Sequence, residues 1–165
     1  MNIRINAFDS SSIDRAIKQL QDYQKKLDEK ANKIAQRLAE MGATNVSLGF
    51  ARAIYNGKKD VDVTVENLGE GKYAVVASGE TVLFAEFGAG VKYGDGHPQA
   101  AEFGMGPGTY PYGKGHWDDP NGWWIPKSAG GGHTYGNPPN MPMYNTEQAL
   151  KKEIERVARE VFSSD

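Results

Sequence analysis

Residues 88–142 have a composition that rules out most regular architectures for this third of the chain. They hold 14 of the 20 glycines, all eight prolines and all three tryptophans. Proline removes a backbone hydrogen-bond donor and glycine adds conformational freedom, so the segment cannot be regular helix or regular sheet. The core must therefore come from the flanking parts of the 165-residue chain, a length that suits a single domain carrying a long insertion.

The same segment differs from a disordered linker because it is rich in aromatic rings. Disordered linkers are poor in aromatics, whereas large rings need to be buried. Long irregular loops in small domains are usually functional. We interpret the segment as an excursion that becomes ordered against a partner, and the alternative is a lobe that packs on itself. Its aromatic residues are Tyr93, Phe103, Tyr110, Tyr112, Trp117, Trp123, Trp124 and Tyr135.

The N-terminal part of the chain has the apolar spacing of a long helix. From position 13 to position 41 the pattern steps alternately by four and three residues, and only Gln24 interrupts it. This narrow seam predicts a helix that packs against a sheet or another helix. Ser11 with Asp14 resembles a helix start and Gly42 resembles a stop. The seam consists of Ile13, Ile17, Leu20, Leu27, Ala31, Ile34, Leu38 and Met41.

An antiparallel sheet is predicted after this helix. Residues 61–65 and 73–77 alternate apolar and polar side chains, with glycines between the two runs. Residues 46–50 resemble a further strand that leads to the tight-turn pair Asn56-Gly57. The order predicts a three-stranded meander, with Ile3 and Ile5 as a candidate edge.

Two further segments complete the predicted fold. Residues 81–87 form either a last strand or a short helix, because the run is too short for its period to decide. Residues 145–162 predict a C-terminal helix capped by Asn145 or Thr146. The predicted class is therefore α+β in one domain. Residues 1–87 form helix plus sheet, residues 88–142 form the irregular insertion, and the short helix follows.

Composition excludes several classes of protein. The chain has no cysteine, which excludes disulfide scaffolds, thiol catalysis and cysteine-ligated zinc. A net charge of −2 gives no electrostatic reason to expect binding to nucleic acid or to an anionic membrane. No apolar run approaches the roughly 20 residues that cross a bilayer. We therefore expect no membrane association and no cofactor.

Candidate chemistry is sparse. The three histidines, His97, His116 and His133, lie 19 and 17 residues apart, unlike the close pairs of most metal sites. Only His116, with Asp118 and Asp119, approaches a metal-binding cluster. Glu86 is the one acid bracketed by apolar residues. Because a buried carboxylate is costly unless it is paired, we expect it to contact backbone N–H groups or a basic group.

Two motifs resemble those of a known family. The run Glu86-Phe87-Gly88-Ala89-Gly90 resembles the E-F-G-T-G signature of the tail-completion, or head–tail joining, proteins of siphophages. Residues 133–145 are similar to the T-x-G-x-P-x-x-P motif of the same family, which leads into a C-terminal helix. Two residues depart from the family pattern. Ala89 stands where threonine is common, and Asn140 stands where arginine is often found.

The resemblance implies a virion protein, made in the bacterial host cytoplasm, that works by ring assembly and not as an enzyme. Its partners would be copies of itself and other neck or tail proteins, with DNA contact limited to the ring lumen and not specific. A tail terminator, or another neck subunit with a similar fold, is the alternative within the virion. The rivals are a metal-dependent hydrolase using the three histidines and a glycan-binding module displaying the tryptophans. The candidate assembly contacts are Trp117, Trp123, Trp124, Tyr110, Tyr112, Glu86, Phe87, Gly88, Pro138 and Pro139.

Overall fold

The computed structural model describes residues 3–4, 6, 8–91, 96–106, 116–117 and 119–164. The longest element is a 43-residue helix, whose start is capped by the Asp9 carboxylate accepting from the backbone N–H of Ser11. In chain order the elements are α1 (Ser10–Arg52), β1 (Asp62–Gly69), β2 (Lys72–Ser78), α2 (Val82–Phe87), β3 (Ala89–Gly90), β4 (Trp123–Trp124), a 3-10 turn (Lys127–Ala129), β5 (His133–Thr134), β6 (Gly136–Asn137) and α3 (Pro142–Ser163).

The α+β class predicted from the sequence is confirmed. Helices α1 and α3 pack side by side, and the hairpin β1–β2 packs against α1. The two loop residues of the hairpin, Glu70 and Gly71, both have positive φ, as tight hairpin turns require. The main core contains buried Val46, Phe50, Ala53 and Ala85, with half-buried Val61, Val63, Val75, Ala77, Val82 and Met143 around them.

The strand expected at residues 46–50 is wrong, because α1 continues through Gly42 to Arg52. Val46 and Phe50 are buried at helical spacing on the face that Ala39 and Gly42 begin. The main sheet thus has two strands and not three. Asn56-Gly57 connects a helix to a strand. Of the proposed edge segment, Ile3 is not in a strand and Ile5 lies outside the described residues.

The two glycines inside α1 mark where other elements approach it. A Cβ added at Gly42 would lie 3.1 Å from both Leu150 Cδ1 and Val75 Cγ2. A Cβ at Gly49 would lie 2.6 Å from Cβ of Pro142, the first residue of α3. Gly42 therefore does not stop the helix but brings α1, α3 and β2 together.

Gly49→Ala is expected to destabilise the protein although alanine is the better helix former. In an exposed helix the change would stabilise by about 1 kcal/mol. Here the added methyl group overlaps the Pro142 ring, and such overpacking costs about 1–3 kcal/mol. Thermal unfolding measures whether the substitution stabilises or destabilises the protein. Ser47→Ala, at an exposed position of the same helix, is the control. A variant more stable than the wild type would contradict the close approach.

Asp60 joins the two ends of the hairpin. Its carboxylate accepts hydrogen bonds from the backbone N–H of Glu80, from the backbone N–H of Thr81 and from the Thr81 hydroxyl at 2.6 Å. The Thr81 hydroxyl, followed by the backbone donor of Glu80, lowers the pKa of Asp60 from 3.8 to about 2. Asp60, two residues before β1, is therefore tied to the residues that follow β2.

The depressed pKa of Asp60 predicts acid sensitivity. A carboxylate whose pKa is lower in the folded state contributes stability above its ordinary pKa, and this contribution is lost as the pH falls from about 4 towards about 2. Urea unfolding across this range should show a shallower fall for Asp60→Asn than for the wild type. Asp62→Asn removes a similar charge from an exposed strand position and is the control. Equal slopes for Asp60→Asn and the wild type would refute the assignment.

Candidate functional site

Glu86 lies buried where α2 ends and α3 begins. Its Oε2 accepts from the backbone N–H of Met143 at 2.8 Å, and its Oε1 accepts from that of Tyr144 at 2.9 Å. These amides belong to the first turn of α3, where backbone donors lack partners within the helix and a negative charge is favoured. Glu86 therefore caps α3 from a distance of 57 residues along the chain. The expected contact with backbone N–H groups is confirmed.

The expected cap of the C-terminal helix is wrong. Asn145 and Thr146 lie inside α3, which begins at Pro142 and has Met141 at its cap position. Met141 has a positive φ of 54° and offers no side-chain cap, so the helix depends on Glu86. A signal was present in the sequence, because proline is favoured at the first position of a helix.

His97 completes the surroundings of the Glu86 carboxylate. Its Nε2 lies 3.1 Å from Glu86 Oε1, and its Nδ1 accepts from the backbone N–H of Gln99 at 3.0 Å. Because Nδ1 is an acceptor, the ring proton is on Nε2 and points at the carboxylate. The imidazole also meets the Phe87 and Tyr144 rings edge-on. Residues 96–106 are thus anchored to the start of α3.

The two motifs that carry the family resemblance meet in space. Strand β3, which contains Ala89 and Gly90, pairs antiparallel with β6, which contains Gly136 and Asn137. A Cβ at Gly136 would overlap the carbonyl group of Ala89, so only glycine permits this pairing. The peptide N–H of Met141 donates to the carbonyl oxygen of Glu86. The motifs therefore form one structural unit.

Asn140 links this unit to the end of α1. Its Oδ1 accepts from the backbone N–H of Ile54 at 2.7 Å, and its Nδ2 donates to the carbonyl oxygens of Ile54 and Ala85 at 3.2 and 3.3 Å. An arginine has no acceptor atom with which to bind the Ile54 N–H. The departure from the family pattern at this position therefore has its own structural role.

The described part of the insertion packs on its own chain. Trp117, Met105 and Phe87 form a second buried cluster. Trp123 stacks on the ring of His116 with 4.3 Å between centroids, whereas Trp124 is 75% exposed. For these residues the self-packed lobe is the better interpretation. The ordering of the insertion against a partner stays a prediction.

The candidate assembly contacts fall into three groups. Glu86, Phe87, Gly88 and Trp117 are buried within the chain, so a neighbouring subunit cannot contact these residues in this conformation. Trp124 is exposed, and the other described candidates, Trp123, Pro138 and Pro139, are half-buried. Tyr110 and Tyr112 lie outside the described residues. As assembly contacts, all ten remain predictions.

The three histidines have separate surroundings. His97 binds Glu86, His116 stacks on Trp123, and His133 meets the rings of Trp124 and Tyr135 edge-on. Within the ranges that the structure describes, no group of three histidine, aspartate or glutamate side chains could hold a metal ion. Asp118, part of the one candidate cluster, lies outside those ranges.

A cleft of about 210 Å³ opens between the end of α1 and the insertion; we call it the aromatic cleft. Burial, and then the negative charges of Asp60 and Glu80, raises the pKa of Tyr55 on its wall. The phenol of Tyr55 is therefore neutral at physiological pH. The cleft is lined by Tyr55, Asn56, Gly57, Phe84, Ala89, His116, Trp123, Ile125, Thr134 and Asn137.

Comparisons with protein-family models, with curated proteins and with solved structures found no match to this chain. Of the helices in the described residues, none is both long enough and apolar enough to cross a membrane.

Proposed function

We propose that this chain is a structural subunit of the head–tail junction or tail end of a long-tailed bacteriophage, and that it acts by assembling into a ring. The observation that carries the proposal is the meeting of the two family-like motifs. Although 45 residues separate Gly90 from Gly136, the motifs pair as β3 and β6 and share the Glu86 cap of α3. This pairing supports the proposal because the two segments that resemble the family form one structural unit.

The first turns of α1 support assembly because, among the described residues, no other helix lies beside them. Contacts of Gly49 with Pro142, Arg37 with Glu160 and Lys30 with Phe162 show that α3 runs antiparallel to α1 and ends near Lys30. Residues 10–25 therefore extend past α3 by about 24 Å at 1.5 Å per residue. We call this segment the α1 arm.

The α1 arm carries the apolar seam that the sequence analysis identified. Ile13, Ile17, Leu20 and Tyr23 are 41–53% exposed, although a seam of this spacing normally packs against a partner. Helices of this length gain most of their stability from tertiary packing. A ring requires two different adhesive surfaces on each subunit, and the arm provides one of them.

Two measurements test the proposal. Electron microscopy of the purified full chain at increasing concentration should show closed rings. Deletion of its gene from the phage genome should give heads and tails that fail to join. Infectious, fully joined particles made without the gene would refute the proposal, as would the absence of the protein from purified particles.

The rival enzyme function has a direct test. A metal-dependent hydrolase using the histidines requires stoichiometric metal, which elemental analysis of the purified protein detects.

For a glycan-binding module, only Trp124 of the three tryptophans offers an exposed ring as a stacking platform. Neither rival gains a specific supporting contact from the described residues.

A further inference from the structure

The aromatic cleft has the size and walls of a socket for one large side chain. Small-molecule sites usually measure about 300–1,000 Å³, and this cleft measures about 210 Å³. Apolar groups of Phe84, Trp123 and Ile125 form much of the wall. Aromatic rings associate well with one another in edge-on or offset arrangements, so an aromatic side chain suits this wall best.

Phe8 is a matching side chain without a site on its own subunit. It lies one residue before the Asp9 cap of α1, and its side chain is fully exposed. Its backbone N–H donates to the side-chain oxygen of Asn6, which holds the chain in a turn at this point. The apolar seam of the α1 arm begins five residues later at Ile13, so Phe8 extends an apolar surface whose Ile13, Ile17 and Leu20 side chains are 41–53% exposed.

Phe8 cannot fill the cleft of its own subunit. It precedes α1, whereas Tyr55 and Asn56 on the cleft wall follow the end of α1 at Arg52. The helix between them has 43 residues, which at 1.5 Å per residue separate its ends by about 64 Å. The aromatic side chain and its socket therefore lie at opposite ends of one continuous helix, and only a second molecule can bring them together.

We propose that Phe8 of one copy inserts into the aromatic cleft of a neighbouring copy, with the α1 arm lying along that neighbour. The contact is heterologous, since each copy offers its Phe8 to one neighbour and its cleft to another. Repeated contacts of this kind form a ring when the rotation between neighbours closes. The proposal rests on the proposed ring assembly and identifies the two surfaces that form the ring.

The absence of cysteine from the chain gives a direct test by disulfide cross-linking. Copies carrying Ser10→Cys, which keeps the Phe8 ring and lies two residues from it, are mixed with tagged copies carrying Asn56→Cys, at the exposed edge of the cleft, and are oxidised. A disulfide forms only where the two Cα atoms come within about 7 Å. The expected product is a linked pair containing one copy of each kind. The control pairs Ser10→Cys with Leu68→Cys, at a position that is 61% exposed on the hairpin.

A second variant separates assembly from folding. Phe8→Ala is expected to shift the sedimentation profile from the ring towards the monomer by at least tenfold in midpoint concentration. The thermal midpoint of the monomeric variant should match that of the wild-type monomer, because the Phe8 phenyl group is fully exposed in the monomer. Linkage no greater than in the Leu68 control would overturn the proposal, as would a protein that stays unlinked and monomeric at every concentration.

The outcomes also distinguish this inference from the proposed function. Specific linkage between positions 10 and 56, together with phage particles that join normally without the gene, would support the contact between Phe8 and the aromatic cleft and contradict the phage role. Particles that require the gene, together with rings that lack this linkage, would support the phage role and contradict the contact between Phe8 and the aromatic cleft.

Discussion

Glu86→Ala is expected to lower the free energy of unfolding by about 3–5 kcal/mol, because it leaves three hydrogen-bond donors without their acceptor and each such buried donor costs about 1–3 kcal/mol. The substitution leaves the backbone N–H groups of Met143 and Tyr144 without their acceptor and leaves His97 facing a cavity. Chemical denaturation of the monomer measures the loss. Hydrogen exchange should also show faster exchange of the two amides at the start of α3.

Two variants make the Glu86 prediction specific. Glu102→Ala removes an exposed carboxylate from the segment that His97 anchors, and it should change stability by less than about 0.5 kcal/mol. Glu86→Gln keeps the shape but turns an NH₂ group towards donors, so it should cost part of the loss seen with alanine. A Glu86→Ala protein as stable as the Glu102→Ala control would show that the carboxylate does not cap α3.

Trp117→Ala and Trp124→Ala are expected to have opposite consequences for folding and assembly. Trp117 is 6% exposed and packs with Phe87 and Met105, so its truncation should cost about 3–5 kcal/mol of monomer stability. Trp124 is 75% exposed, so its truncation should change monomer stability by less than about 0.5 kcal/mol. If Trp124 lies in an assembly contact, its truncation should weaken association by about 2 kcal/mol, roughly thirtyfold.

Thermal unfolding of the monomer measures how each tryptophan substitution changes stability, and sedimentation over a range of concentrations measures how it changes association. Trp117→Phe, which keeps an aromatic ring in the cluster, should recover part of the stability that alanine loses. Equal losses of monomer stability for Trp117→Ala and Trp124→Ala would contradict the burial of one ring and the exposure of the other. Unchanged association of Trp124→Ala would remove it from the candidate contacts.

Local pattern was sufficient for elements whose partners are close in sequence. The alternation at residues 61–65 and 73–77, with Gly69 and Gly71 between, predicted the hairpin because both strands and their turn lie within one short stretch. The same pattern was misleading at residues 46–50. Val46, Leu48 and Phe50 read as an alternating strand, yet α1 continues there because Val46 and Phe50 reach the core at helical spacing.

Gly42 shows why a helix stop cannot be read from a glycine alone. Its side-chain hydrogen is compatible with a helix end and equally with a close contact inside a helix. The choice depends on Leu150 and Val75, which lie more than 30 residues away in the chain and approach Gly42 in space. Residues 81–87 were undecided for a related reason, and the structure makes residues 82–87 the helix α2.

The candidate site divides in the same way between local and distant information. The apolar neighbours of Glu86 were enough to predict that its carboxylate would be buried and bonded, because a buried charge requires partners. They could not identify the amides of Met143 and Tyr144 or the imidazole of His97. Asn145 and Thr146 were chosen as caps because they are good capping residues, whereas the cap comes from a different part of the chain.

Spacing and composition were therefore enough to predict an α+β chain with two helices, a hairpin and a buried acid near position 86. Only the tertiary structure decided which end of each helix is covered, which glycine marks a close contact between elements, and how the two motifs pair. The physical reason is that burial and hydrogen bonding depend on distances in space, and the α3 amides that Glu86 caps, like the paired residues of β3 and β6, are more than 40 residues from their partners in sequence.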